Sequence, residues 1–220
     1  MISVAIDGPA GAGKSTIARA IAQKLGYIYA DTGALYRAIA YYALNKNVKI
    51  KSEREILPLL DEIIVTLKFI NNEQHVFINE EDVSDKIRTS DVSMAASDVS
   101  ALPAVRKFLF ALQQNLAKEN NIVMDGRDIG TVVLPNATVK IFLTATADER
   151  AKRRWKELKE KGKDVNLADV LHDVTTRDYN DEHRDISPLM QADDAVLVDT
   201  TKDTLEQAIE RIINIIKDYI

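Results

Sequence analysis

Gly8-Pro9-Ala10-Gly11-Ala12-Gly13-Lys14-Ser15 satisfies the pattern G-x-x-x-x-G-K-[ST] at every fixed position. Before it, Ile2-Ser3-Val4-Ala5-Ile6 is a short apolar run of strand type. After it, the stretch Thr16 to Leu25 carries Ile17, Ala18, Ile21, Ala22 and Leu25 at helical spacing. A strand, a glycine-rich turn and a helix in that order form a cradle for phosphate. Glycines let the backbone wrap an anion while loop and helix N–H groups point at its oxygens. Lys14 can then reach the β- and γ-phosphates, and the Ser15 hydroxyl can ligate Mg²⁺. This context sets the segment apart from a glycine-rich turn that matches by accident. Gly8, Pro9, Ala10, Gly11, Ala12, Gly13, Lys14, Ser15 and Thr16 are read as the site of a nucleoside triphosphate.

The bulk numbers suit an enzyme of small molecules. The 220 residues are 46% apolar and 29% charged, a soluble globular composition long enough to bury a proper core. A net charge of −5 argues against a nucleic-acid track, so any basic site must be local. There is no cysteine, which excludes disulfides and thiolate chemistry and fits a reducing compartment. Asp7 and the glycines after it leave no apolar signal-peptide region. No apolar run approaches the ~18–20 residues needed to span a bilayer. A cytoplasmic monomer that binds neither nucleic acid nor membrane is expected.

Five short apolar runs read as buried parallel strands: residues 2–6, 27–30, 122–124, 139–143 and 195–198, separated by helical stretches. Asp7, Asp31, Asp125 and Asp199 follow four of them. In open α/β sheets ligands collect beyond the carboxyl ends of strands, so these are site candidates. The competing role is that of helix caps, preferred for Asp199 and for Asp203, whose Asp203-Thr-Leu-Glu206 has capping-box spacing. Leu205, Ile209, Ile212, Ile213 and Ile216 make a core-facing stripe on the last helix. Residues 63–79 alternate instead, through Ile63, Val65, Leu67 and Phe69, then Asn71-Asn72-Glu73-Gln74, then Val76 and Ile78, which predicts a β-hairpin. Residues 148–185 form a second, charge-rich excursion. No internal repeat or flexible linker is present.

A phosphate-binding loop alone does not separate GTPases, motors and small-molecule kinases. A GTPase needs N-K-x-D, and Asn45-Lys46-Asn47-Val48 lacks the aspartate. A kinase whose lid excludes water fits the excursions better, because water competes with the acceptor for the transferred phosphoryl group. Arg150, Arg153 and Arg154 fall at i, i+3 and i+4, on one helical face, where they can swing onto a triphosphate; a solvated charged helix is the alternative. Asp31-Thr32-Gly-Ala-Leu-Tyr36-Arg37 offers a hydroxyl and a guanidinium for a monophosphate. Gly126-Arg127-Asp128 and Arg177-Asp-Tyr-Asn-Asp181-Glu-His-Arg184 add further arginines and acids. His75, His172 and His183 lack metal-ligand spacing and read as ordinary surface residues.

The chain resembles the bacterial cytidylate kinases, a family of nucleoside monophosphate kinases, over essentially its full length. Four motifs in order carry the likeness: D-G-P-x-G-A-G-K-S-T, D-T-G-A-x-Y-R, D-G-R-D-x-G-T-V-V and R-D-x-x-D-x-x-R. The departures are Thr32 where many relatives have serine and Ser15 where some have glycine, and neither removes a needed group. The resemblance implies an α/β P-loop kinase fold with a five-stranded parallel core from residues 1–30, 116–147 and 186–220. An insertion for the monophosphate, with a small antiparallel sheet, would occupy 31–115, and a helical lid 148–185.

It also implies roles. Ser97, Arg106 and Asp128 would read cytosine, the first two chosen on the resemblance alone. Cytosine's amine suits a carboxylate, whereas uracil presents a carbonyl there. Asp181 and Arg177 would bind ribose, and Thr32, Arg37, Arg127 and Arg184 the acceptor phosphate, with Tyr36 beside them. Lys14 with Arg150, Arg153 and Arg154 would carry catalysis. Ser15 would hold Mg²⁺ directly and Asp125 through water. The expected reaction is ATP + CMP to ADP + CDP, with dCMP also accepted. A P-loop kinase for UMP, shikimate or gluconate, or a nucleotide-gated binding protein, remains as an alternative.

Overall fold

The apolar runs and the helical stretches between them build an open sheet with helices on both faces. The computed structural model describes residues 1–70 and 73–220. In chain order its elements are β1 Ser3–Asp7, α1 Lys14–Leu25, β2 Ile28–Asp31, α2 Thr32–Asn45, α3 Glu53–Asp61, β3 Val65–Ile70, β4 Glu73–Ile78, β5 Glu81–Asp82, α4 Ser90–Ser100, α5 Pro103–Glu119, β6 Ile122–Gly126, β7 Val139–Thr144, α6 Ala147–Glu160, α7 Leu167–His183, β8 Val196–Asp199 and α8 Leu205–Lys217. A 3₁₀ turn, Lys86–Arg88, and a π-helical turn, Ile129–Val133, complete it.

The five-stranded sheet has the order β2-β6-β1-β7-β8, and every pairing is parallel. The chain leaves β1 in one direction to β2 and later returns on its other side to β7. Ligands gather at such a reversal, beyond the carboxyl ends of β1 and β6. β1 and β6 lie centrally and are almost wholly buried, which is why they read as unbroken apolar runs. One sheet face packs on α1 and α8 through Ile17, Ile21, Ile141, Ile209 and Ile212. The other buries Ile122, Met124, Ile129 and Val133.

A separate core joins α2, α3, α4, α5 and the sheet β3-β4-β5 through Leu35, Ile39, Ile56, Ile87 and Leu109. The Gln74 side chain ties this part to the edge of the large sheet. It accepts from the Asp31 N–H at 2.7 Å and donates to the Asp31 carbonyl at 3.2 Å. α6 and α7 pack on each other through Trp155, Leu158, Val170 and Val174, a small core of their own.

Several local expectations shift. The aspartates expected just after strands end β1, β2 and β8 as Asp7, Asp31 and Asp199, while Asp125 lies inside β6, in register with Ile6 and Asp31. The cap of α8 is Thr204 with Gln207, a reciprocal capping box one residue beyond the Asp203–Glu206 pairing. Asp199 caps no helix; it accepts from the N–H and hydroxyl of Thr201 in the preceding turn. On α8, Leu205 is 44% exposed, and Ala208 takes its place in the buried stripe. β3 and β4 pair antiparallel from Val65↔Ile78 to Ile70↔Glu73 as the alternation predicts, although the Asn71-Asn72 part of that turn lies outside the described residues. The boundary at 115/116 falls within α5. Among the described residues no helix is long and apolar enough to cross a membrane.

Candidate active site

The phosphate loop is shaped by what its glycines avoid. Gly8 has φ +149°, and a Cβ there would sit 1.9 Å from the Leu143 carbonyl oxygen on β7, so only glycine passes this point. Gly13, at φ +87°, turns the chain into α1, which starts at Lys14 rather than Thr16. The buried Lys14 Nζ donates to the Pro9 carbonyl at 2.8 Å, across the base of the loop. Burial, then the nearby cations Arg127 and Arg177, hold the Lys14 ammonium well below its ordinary pKa, while Asp125 and Asp181 oppose them.

Beside it the Ser15 hydroxyl donates to Asp125 Oδ2 at 3.0 Å, and the Tyr29 hydroxyl to Asp125 Oδ1 at 2.8 Å. Burial, with the negative charge of Asp31 next, pushes the Asp125 carboxyl up to about 6. Among the described residues no three acidic, histidine or cysteine side chains converge as a metal cage. Two hard oxygens at the mouth of a phosphate loop still fit Mg²⁺, which keeps waters and takes substrate phosphates as its other ligands.

Asp7 organises the next loop. Its two oxygens accept from the N–H groups of Ile129 at 2.8 Å and Gly130 at 2.7 Å. These bonds fix the backbone straight after Asp128. Burial pushes the Asp7 carboxyl up to about 6, and the neighbouring Asp128 charge adds to it. A carboxyl whose folded pKa is raised stabilises the fold below its unfolded pKa and loses that contribution as pH rises through the folded value. The Asp7→Asn variant should therefore lose less stability than the unsubstituted protein between pH 4 and 6.5. The expected difference is ~2 kcal/mol, the larger part of the effect of a shift of about two pKa units, read by urea denaturation at the two pH values. Identical losses would contradict the raised value.

The acceptor side is a cluster of arginines braced by acids. Arg37 pairs with Asp31 at 2.6 Å and Arg88 with the same carboxylate at 3.4 Å. Arg106 pairs with Asp128, which Arg184 also approaches at 3.4 Å. Arg127 pairs with Asp181 at 2.8 Å, and Arg177 lies 4.0 Å from it. Six guanidinium groups thus face three carboxylates, leaving three positive charges over. Burial, then Arg127, lowers Arg177 to about 10. Nε of Arg37 and Nε of Arg177 are buried with no hydrogen-bond partner among the described residues. Buried donors of this kind normally have acceptors, and a phosphate dianion supplies them.

All these arginines, with Lys14, Ser15, Asp125, Ser97 and Tyr36, line one cleft of about 860 Å³. Ser97 donates to Asp181 Oδ1 at 3.1 Å, and the Arg106 guanidinium lies 5.8 Å from the Tyr36 ring centroid. Thr32 also lines the cleft, but its hydroxyl donates to the Asp125 carbonyl at 2.8 Å and so fastens α2 to β6. Arg184 lines the same cleft as Arg37 and Arg127. It follows the end of α7 in an extended conformation, and its guanidinium turns to Asp128, to the Ser100 hydroxyl at 3.2 Å and to the Ser187 carbonyl.

The three arginines of α6 part company. Arg153 and Arg154 line the cleft; Arg153 donates to the Thr200 carbonyl at 2.6 Å, and Arg154 to Glu157 at 2.7 Å. Arg150 is buried away from the cleft lining, its Nε bonded to Ala145 and its Nη1 to Ala10 and Asp178. Gly8, Pro9 and Ala12 also shape the loop from behind the lining. Arg88, Arg19 and Lys161 line the cleft without any sequence pattern announcing them.

The family model for cytidylate kinase matches residues 4–218. A cytidylate kinase of Caldicellulosiruptor saccharolyticus is 51% identical over 97% of this chain and 95% of its own length. One of Ligilactobacillus salivarius is 50% identical over 99% of this chain and 97% of its own. A solved shikimate kinase from Bacteroides thetaiotaomicron aligns over 98% of both chains with a TM-score of 0.51 at 12% identity, a likeness of fold alone. The fold is the α/β P-loop kinase fold, and the chain belongs to the cytidylate kinase family.

Proposed function

We propose that this protein transfers the γ-phosphoryl group of ATP to CMP, and to dCMP, giving ADP and CDP or dCDP. The observation that carries the reading is one cleft holding both a complete phosphate loop and Asp128 set between Arg106 and Arg184. An oxygen of the CMP phosphate forms the new bond to Pγ, and the bond from Pγ to the β-phosphate bridging oxygen breaks. Lys14 and the loop N–H groups hold the donor phosphates, while Arg37, Arg127 and Arg177 hold the acceptor phosphate in line. Such positioning and charge stabilisation make up most of the catalysis of phosphoryl transfer. Asp128 accepts from the cytosine amine and is itself oriented by the two arginines, with Ser97 beside the base; Asp181 meets the ribose. Ser15 would hold Mg²⁺ directly and Asp125 through a water, and the ion would supply neutralisation of donor charge.

In this reading residues 31–115 bind the monophosphate, and α6 and α7 close over the donor as a lid. The protein works as a cytoplasmic monomer. Arg153 and Arg154, which reach the donor on closure, matter more in the transition state than in the ground state. Replacing each by alanine should therefore lower kcat more than it raises the ATP KM. Steady-state kinetics on the two variants check this, and unchanged kcat in both would return the segment to a solvated helix. ³¹P NMR of a mixture with Mg-ATP and CMP tests the reaction itself. The β-phosphate resonance of CDP is expected, and inorganic phosphate alone would mean hydrolysis.

A further inference from the structure

The backbone of Ala10 in the phosphate loop is gripped at both its N–H and its carbonyl by one buried ion pair. Its N–H donates to Asp178 Oδ1 at 3.0 Å, and its carbonyl accepts from Arg150 Nη1 at 2.8 Å. Arg150 and Asp178 pair directly, and Arg150 Nε donates to the Ala145 carbonyl at 2.8 Å, just beyond β7. Both side chains are buried, and neither lines the cleft. The packing is close as well as polar: a Cβ on Gly11, at φ +74°, would come within 3.2 Å of Arg150 Cβ. The grip comes from α6 and α7. Of these, α7 also carries Arg177 and Asp181, which line the acceptor part of the cleft one residue before and three residues after Asp178.

We infer that Asp178 and Arg150 are positioning residues that link acceptor occupancy, felt by α7, to the shape of the ATP-binding loop. The inference rests on the proposed CMP kinase reading. When Arg177 and Asp181 take up an acceptor, any shift of α7 moves Asp178, and the Ala10 peptide moves with it. The loop cannot relax independently at this point, because the N–H and the carbonyl of Ala10, in two successive peptide units, are both committed to the pair. A helix bound at one residue to the donor loop and at its neighbours to the acceptor cluster couples the two sites mechanically, and such coupling appears as a change in affinity.

The test is isothermal titration of β,γ-imido-ATP with Mg²⁺, with and without saturating CMP, on the unsubstituted protein, Asp178→Ala, and Asp178→Asn. The unsubstituted protein should show CMP changing the analogue Kd by at least about fivefold, the lower end of usual couplings. In Asp178→Ala the factor should fall below two, while the Kd for CMP alone stays within threefold. Asp178→Asn keeps one acceptor for the Ala10 N–H but loses the charge facing Arg150, and should give an intermediate factor even if the alanine variant folds poorly. Equal coupling in all three proteins overturns the inference, as does absence of coupling in the unsubstituted protein. Parallel weakening of CMP and analogue binding overturns it too, because that marks general loss of structure. Failure of the functional reading is recognised separately, as an unsubstituted protein that binds the analogue yet never phosphorylates CMP.

Discussion

Replacing Lys14 with alanine is expected to lower kcat/KM for phosphoryl transfer by about 10²–10³-fold, as for removal of one donor at a developing charge. The fold should survive. Among the described residues Lys14 makes a single side-chain hydrogen bond, to the Pro9 carbonyl, and it stands at the first position of α1, ahead of the apolar residues that pack on the sheet. Burial already disfavours its charge in the free protein, so deleting the ammonium also removes a desolvated cation. Circular dichroism melting beside the kinetics separates the two effects. Activity within about threefold of the original, ~0.65 kcal/mol, would rule out the catalytic role.

The second large effect concerns the base. Asp128 is an acceptor held between Arg106 and Arg184, so it faces cytosine's amine well and uracil's carbonyl badly. Asn keeps the size, can turn its amide N–H toward a carbonyl, and gives up the two ion pairs. Asp128→Asn should therefore lose ~1.5–3 kcal/mol in kcat/KM for CMP, the range for a hydrogen bond to a charged group. UMP should be spared, so the CMP:UMP ratio should fall at least tenfold. A parallel fall for both substrates would make Asp128 a support for Arg106 and Arg184 alone. Base choice would then pass to Ser97 and Arg106.

Much of this molecule was legible in the sequence because its signals are local. The glycine-lysine-serine loop must lie between a strand and a helix, and the inner strands had to read as apolar runs since both faces of their sheet are covered, whereas the edge strand β8 buries only Val198 and leaves Leu197 exposed. The hairpin showed in its alternation. What escaped depends on distance in space. α4 and α5 carry short mixed patterns whose apolar faces meet α2 and α3, so their core becomes visible only when folded. Arg88 reaches the cleft because a 3₁₀ turn happens to pass Asp31. The helical face shared by Arg150, Arg153 and Arg154 misled in part. Residues at i and i+3 diverge enough that Arg150 turns into the protein and meets Asp178, 28 residues on, while the other two stay at the cleft. Arg184 was grouped with the phosphate ligands by its motif; the helix ends at His183, and the guanidinium of the next residue lies at the cleft, paired with Asp128.

One cleft joins a triphosphate donor to a pyrimidine monophosphate selected by its amine. A coupled ADP-release assay with Mg-ATP and each of CMP, dCMP, UMP, AMP, GMP and shikimate tests it most directly. Fast ADP release is expected with CMP and dCMP, at least tenfold lower kcat/KM with UMP, and background rates with the purine nucleotides and shikimate. Equal turnover of UMP and CMP, or turnover with shikimate and none with CMP, would contradict it.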